Sequence, residues 1–267
     1  MIKMKKILIL SFAMAVLHVY GFGQKDLLLK TALIAHRGES SLAPENTLAA
    51  FQLAWKSGAD AVELDIHLTA DNRIVAIHDA NTKRTAGMDY IVKNTPSEVL
   101  RKLDVGSFKD SSFCNERIPF LEEVLQTIPP GKKLVIELKS GSDVLPWLDK
   151  IVNGSGKKVQ LVFIAFDWQT IVAARQLFPE NACYWLSNNK NEVLARMNEV
   201  SERGLTGLDL HFSLIDANMV KKAADLQLKI IAWTVDDPAI AKRLVEMGIE
   251  GITTNRTAWL RAKLGEM

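Results

Sequence analysis

Only two cysteines occur in the 267 residues, which excludes a scaffold built on disulfides. No charge of one sign dominates either, because 33 Lys and Arg stand against 31 Asp and Glu. A net charge of +2, with no Lys/Arg run interleaved with aromatics, excludes a nucleic-acid binder. The sequence has no Gly-rich G-x-G-x-x-G turn, no internal repeat and no linker that would divide the chain. Beyond residue 23 no apolar stretch is long enough to cross a membrane. What is present is ordinary globular usage, 48% hydrophobic and 24% charged, which supports a real core and excludes disorder and collagen-like repeats.

The first 23 residues read as a leader. Lys3, Lys5 and Lys6 come first, without an acid; Ile7 to Tyr20 is apolar except for Ser11 and His18; Gly21 and Gly23 put small residues before Gln24. Basic, apolar, then small-x-small is the order of a secretory signal peptide. The alternative is an uncleaved anchor, for which the apolar stretch is short. Cleavage after Gly23 would turn the formal charge from +2 to −1. It would leave residues 24–267 as one exported domain, periplasmic or secreted, with no stable membrane insertion. In an oxidising compartment Cys114 and Cys183 either pair or remain as thiols; their spacing leaves both open.

Short apolar runs alternate with helical patterns through the rest of the chain. Strands are expected at 31–36, 61–67, 74–78, 133–138, 159–165, 182–186, 206–210, 228–234 and 250–254. Several are apolar almost throughout, as strands covered on both faces are. A helix opens near Pro44, with Asn46 capping it, and closes at Gly58. Thr95-Pro96 with Glu98 reads as a capping box, and Asp237-Pro238 opens a helix that Gly248 ends. Repeated strand–helix units predict a (β/α)8 barrel of the TIM type, with an open doubly wound sheet as the alternative. Nine runs are one too many for eight strands. The connection from Asp65 to Ile74 is too short for a helix, so it forms a hairpin or a helixless crossover. Residues of about 80–120 have little strand character and read as a small insertion after the third strand.

In such a barrel chemistry gathers where strands end at their C-terminal side. Glu63 and Asp65 are two apart and share one strand face, as do Glu137 and Lys139. Each carboxylate alone would suit a salt bridge to Arg or Lys. Three of them inside an apolar barrel favour a hard divalent cation held by Glu63, Asp65 and Glu137, because such ions take oxygen ligands. His36 and His78 suit acid–base work, since imidazole titrates near neutral pH. Arg37 suits a phosphate oxygen pair. Metal, two histidines, Arg37 and Lys139 together fit attack on a phosphodiester. Trp233 is read as lining the substrate slot. His67 is read as a rim residue rather than a fourth ligand, and His211 as a further candidate for substrate contact. Asp209, Asp236 and Asp237 read as loop-shaping or helix-capping residues.

With these residues assembled, the chain resembles the glycerophosphodiester phosphodiesterase family. The resemblance is carried by Ala35-His36-Arg37-Gly38, Ala43-Pro44-Glu45-Asn46-Thr47, Gly58-Ala59-Asp60 with Glu63-Leu64-Asp65, and Leu68-Thr69-Ala70-Asp71. It continues through His78-Asp79, Glu116-Arg117-Ile118-Pro119, Ile136-Glu137-Leu138-Lys139, Ala232-Trp233-Thr234-Val235 and Gly251-Ile252-Thr253-Thr254. The resemblance implies a barrel with an insertion after its third strand. It also implies Ca²⁺ or Mg²⁺ on Glu63, Asp65 and Glu137, His36 and His78 as the acid–base pair, and Arg37 and Lys139 near the phosphate. The implied reaction is cleavage of a small glycerophosphodiester to glycerol 3-phosphate and an alcohol. It includes a route in which a glycerol hydroxyl attacks first, and it leaves open which histidine is the first base. Two positions depart from the family's pattern. Asn255 stands where Asp usual follows the last Gly-Ile-x-Thr, and Ala165-Phe166 stands where strand five usually ends Ser-Phe.

Two other readings compete. A related barrel enzyme acting on lysophospholipids or other phosphodiester lipids and polymers would need an apolar or extended groove, and no amphipathic interfacial segment is evident. A non-catalytic exported binding protein would have lost a histidine or a carboxylate of the set, and all are present.

Overall fold

The computed structural model describes residues 31–266; the leader expected at residues 1–23 lies outside the described residues. Among these, no helix is long and apolar enough to cross a membrane. All nine expected strands form: β1 Ala32–Ala35, β2 Ala61–Leu68, β3 Ile74–Ala76, β4 Lys133–Leu138, β5 Leu161–Ala165, β6 Ala182–Ser187, β7 Gly207–His211, β8 Lys229–Trp233 and β9 Gly251–Thr254. Eight of them are parallel in the order β1-β9-β8-β7-β6-β5-β4-β2, and pairing of β1 with β2 closes the barrel. The ninth run is β3, which folds back antiparallel on β2, pairing Leu68 with Ile74 and Ile66 with Ala76. The short connection is therefore a hairpin, and the count of nine agrees with an eight-stranded barrel.

Two apolar layers hold this shape. Val62, Leu64 and Ile66 of β2 and Leu134, Ile136 and Leu138 of β4 belong to the core between strands and surrounding helices. Ile34, Ala61, Val135, Val162, Ile164, Tyr184, Leu186 and Ile231 form a separate cluster inside the barrel. Because side chains alternate along a strand, Glu63, Asp65, His67 and Glu137 continue the inner face, towards the C-terminal mouth.

The outer helices are α1 Leu48–Lys56, α2 Lys83–Ala86, α3 Ser97–Leu100, α4 Leu121–Gln126, α5 Leu145–Ser155, α6 Trp168–Leu177, α7 Lys190–Glu202, α8 Ala217–Asp225, α9 Pro238–Glu246 and α10 Thr257–Glu266. Asp237 caps α9 by accepting from Ala239 and Ile240 N–H, with Pro238 in the first turn, as its sequence predicts. Two expected caps are corrected. Helix α1 starts at Leu48 and its cap is Thr47, whose hydroxyl accepts from Ala50 N–H; Asn46 is left-handed (φ 56°) and turns elsewhere. Helix α3 starts after Pro96, and Thr95 bonds to the Ile91 carbonyl instead of capping. Its first turn is held by Asp71 from the β2–β3 turn, which accepts from Ser97 N–H at 2.8 Å and Ser97 Oγ at 2.7 Å. The cap is supplied across the fold, where local spacing does not reveal it.

The segment after β3 contains α2 and α3 and has a small core of its own, with Val75, Ile77, Val92, Leu100, Leu103, Val105 and Ile118 buried together. Both thiols are free, Cys114 exposed and Cys183 buried in β6. Burial pushes the Cys183 thiol up to about 12.

After β1 the chain reverses through two left-handed residues, Arg37 (φ 55°) and Gly38 (φ 83°). A Cβ on Gly38 would meet the backbone carbon of Ala50 in α1 at 2.6 Å, so the loop rests against the helix in a way only glycine permits. Gly38→Ala is therefore expected to destabilise the fold by about 1–3 kcal/mol, read from urea unfolding. Unaltered stability would show that α1 yields freely at this contact.

Candidate active site

Three inward carboxylates meet at the mouth. Asp65 and Glu137 are in register on neighbouring strands, and oxygens of Glu63, Asp65 and Glu137 all lie within 4.8 Å of one another. All three are buried. Burial, then the neighbouring Asp65 and Glu137, push Glu63 well above the usual carboxylate range. Burial and Asp65 push Glu137 up to about 7. Burial would also raise Asp65, but Lys139 and Arg37 reverse this and hold it well below its ordinary value.

Two cations offset part of this charge. Lys139 Nζ lies 2.9 Å from Glu137 Oε1 and 3.2 Å from Asp65 Oδ1. Arg37 Nε lies 3.3 Å from Asp65 Oδ2, and the Arg37 backbone N–H donates to Glu63 Oε2 at 2.9 Å. With every carboxylate ionised, three negative charges face two positive ones, and among the described residues Asp65 Oδ1 has the Lys139 ion pair but no partner in hydrogen-bond geometry. Hard oxygen donors, close convergence and an incomplete counter-charge fit a divalent cation.

The two histidines are each fixed through Nδ1. His36 Nδ1 lies 2.8 Å from Asn255 Oδ1. Asn255 Nδ2 donates to Asp236 Oδ2 at 2.6 Å, and Ser40 Oγ donates to Asn255 Oδ1 at 3.0 Å. Since Asn255 thus turns its amide nitrogen to a carboxylate, its oxygen faces His36, Nδ1 carries the ring proton, and Nε2 keeps the lone pair. Burial, then the Arg37 charge, lower His36 to about 4, so the ring is neutral at pH 7. His78 Nδ1 lies 2.6 Å from Asp79 Oδ1. Hydrogen bonds from Arg84 hold Asp79 at about 2, so His78 faces an ionised carboxylate.

Sequence reasoning missed the residues that hold these groups. Asn46 Nδ2 donates to Asp65 Oδ2 at 2.8 Å, and its Oδ1 accepts from Asp65 N–H at 3.1 Å. Glu45 joins Arg37 at 2.9 Å to Arg84 at 2.7 Å, and Arg84 Nε reaches Asp79 at 2.8 Å. Arg84 comes from α2 in the insertion, so that segment helps to place His78. Asp236, expected to shape a loop, anchors Asn255. The motif Pro44-Glu45-Asn46-Thr47 was the available signal, since it carries three polar side chains beside a strand end.

One cleft of about 190 Å³ is bordered by His36, Arg37, Glu63, His78, Glu137, Lys139 and Trp233, with Phe166 and Asp209. The expected histidines, cations and tryptophan thus converge with two of the three carboxylates, while Asp65 lies behind them. His67, one inward position beyond Asp65, has Nε2 3.2 Å from the His78 carbonyl and borders a neighbouring cleft. His211 packs edge-on against Trp233, 5.3 Å between ring centres. Asp209 does not shape a loop: it lies in β7 and borders the cleft itself.

The sequence profile described as Glycerophosphoryl diester phosphodiesterase family matches residues 36–258. YhdW of Bacillus subtilis is 34% identical over 227 residues, spanning 84% of this chain and 93% of its own. A glycerophosphodiester phosphodiesterase of Caldanaerobacter subterraneus is 32% identical over 236 residues, spanning 85% and 95%. Among solved structures, an Oleispira antarctica phosphodiesterase in complex with the product sn-glycerol-3-phosphate superposes with a TM-score of 0.81 at 28% identity, covering 89% of this chain and 98% of its own.

Because the folded chain holds the His36 ring neutral, its contribution to stability is present above about pH 6.5 and is lost as pH falls from there through 4. A carboxylate in place of the Asn255 amide would favour the imidazolium. Asn255→Asp is expected to raise the His36 titration by about one unit or more, followed by NMR of the imidazole protons. An unchanged titration would show that residue 255 does not set it.

Proposed function

The chain belongs to the Glycerophosphoryl diester phosphodiesterase family, and on that premise we propose that it hydrolyses glycerophosphodiesters to glycerol 3-phosphate and an alcohol with a divalent metal ion. The observation that carries this reading is the convergence of His36, His78, Arg37 and Lys139 with the carboxylates on one cleft.

Glu63, Asp65 and Glu137 would hold the ion, Ca²⁺ or Mg²⁺. When bound, it would stabilise charge developing on the phosphate oxygens. Arg37 and Lys139 bring further positive charge to the same oxygens. His36, unprotonated at neutral pH, suits the accepting half of acid–base catalysis and takes the proton of the attacking hydroxyl through Nε2; where that hydroxyl is the substrate's own glycerol group, water then opens the cyclic phosphate to glycerol 3-phosphate. His78, oriented by Asp79 and Arg84, hands a proton to the leaving alcohol as its bond to phosphorus breaks. Trp233 borders the cleft as a wall for the substrate.

Hydrolysis of glycerophosphocholine and glycerophosphoethanolamine, followed with Ca²⁺, with Mg²⁺ and after thorough chelation, tests the metal requirement. Turnover is expected with at least one ion and is expected to vanish on chelation; persistent turnover would falsify the role of the carboxylates. His36→Ala and His78→Ala are each expected to lower kcat by about 10²–10⁴, and full activity in either would remove that histidine from the chemistry.

We also propose that residues 1–23 direct export and are removed, placing the enzyme in the periplasm or outside the cell. The basic, apolar and small-x-small order supports this. N-terminal sequencing of the cell-derived protein should begin at Gln24, whereas an intact Met1 in the cytosol would rule the leader out.

A further inference from the structure

The acid–base chemistry leaves one buried ionisable group of the cleft without a task. Asp209 sits on β7, four strands from β2 in either direction around the barrel, and so lies across the mouth from Glu63 and Asp65. It is 2% exposed. Its Oδ1 has no hydrogen-bond partner among the described residues, yet the residue borders the same cleft as the histidines. Burial, then the nearby Glu137, push its carboxyl well above the usual carboxylate range, so its ionised form is costly here unless a positive charge comes to it.

Its neighbours are aromatic. Trp233 Nε1 donates to the Asp209 backbone carbonyl at 3.1 Å, which fixes the indole beside it. The Phe166 ring stands edge-on to Trp233, 5.5 Å between centres and 84° between planes, and both rings border the cleft. Ring faces attract ammonium groups, most strongly where water is excluded. A neutral hydroxyl would gain less from those faces than an ammonium does.

We propose that Asp209, Trp233 and Phe166 form a subsite for a positively charged ammonium on the alcohol side of the phosphodiester. This rests on the phosphodiesterase reading above. The phosphate is placed beside Arg37 and Lys139, on the β1–β4 side, and the alcohol substituent extends across the mouth to the β7–β8 wall. Trp233 thereby has a defined duty, as one face of an ammonium site.

The test compares wild type with Asp209→Asn, which keeps size and shape, on glycerophosphocholine, glycerophosphoethanolamine and uncharged-headgroup glycerophosphoglycerol, with thermal melting to verify folding. Wild type is expected to prefer the two ammonium diesters in kcat/KM. In Asp209→Asn that preference is expected to fall about tenfold, mainly through KM. No preference in wild type, or an equal loss on all three diesters, would overturn the subsite. Calorimetric binding of phosphocholine against glycerol 3-phosphate gives a readout that does not need turnover. Weaker binding of phosphocholine alone in Asp209→Asn supports the subsite, and equal effects on both ligands overturn it. If wild type hydrolyses none of the diesters, the phosphodiesterase reading fails, and the binding comparison still decides the subsite.

Discussion

Three carboxylates gathered inside an apolar barrel repel one another and lose water, and much of the surrounding structure serves to make that arrangement tolerable. Lys139 and Arg37 each reach more than one partner among them and their neighbours. A backbone N–H from the left-handed Arg37 is spent on Glu63, and both polar ends of the Asn46 amide are spent on Asp65. The conformations of Arg37 and Asn46, unusual for residues other than glycine, follow from this demand, because each turns the chain so that a donor meets a carboxylate. A divalent cation, as proposed, would complete the same balance that these contacts begin.

The two histidines of the cleft are held in different ways, and His78 is tied into this charge system. From Asp65 a continuous chain runs through Arg37, Glu45, Arg84 and Asp79 to His78. Two of its links, Arg84 and Asp79, lie after β3, so the added segment with its own small core helps to hold His78 in place as well as decorating the barrel. His36 is held differently, by a neutral amide that is anchored on Asp236. The two rings therefore differ in the charge of the group that orients them. This difference separates an unprotonated partner from one that faces a carboxylate.

The barrel and the convergence of the three carboxylates were legible in the sequence for the same reason: both are periodic features of strands. Inner-face alternation places Glu63, Asp65 and Glu137 together without knowledge of any contact. The ninth apolar run resolved into a hairpin, as the short Asp65–Ile74 connection allowed. The supports were not legible. Asn46 reads locally as a cap and Asp71 as part of a turn, yet each is satisfied by a partner far along the chain. Asp209 reads locally as a loop-shaping or capping acid, and the burial that leaves its Oδ1 without a hydrogen-bond partner among the described residues exists only in the closed barrel.

By itself, then, the sequence determined the strand succession, the inward direction of the carboxylates and the order of motifs that marks the family. These depend on local propensity and on a period of two, which no distant contact is needed to define. Tertiary structure decided which polar groups meet, the Asn255 amide on His36 and Arg84 on Asp79, and it placed the buried Asp209 at the edge of the same cleft. Closure of the barrel brings β1 beside both β2 and β9. Only that closure sets the distances and the loss of water on which the charge and proton state of each group depend.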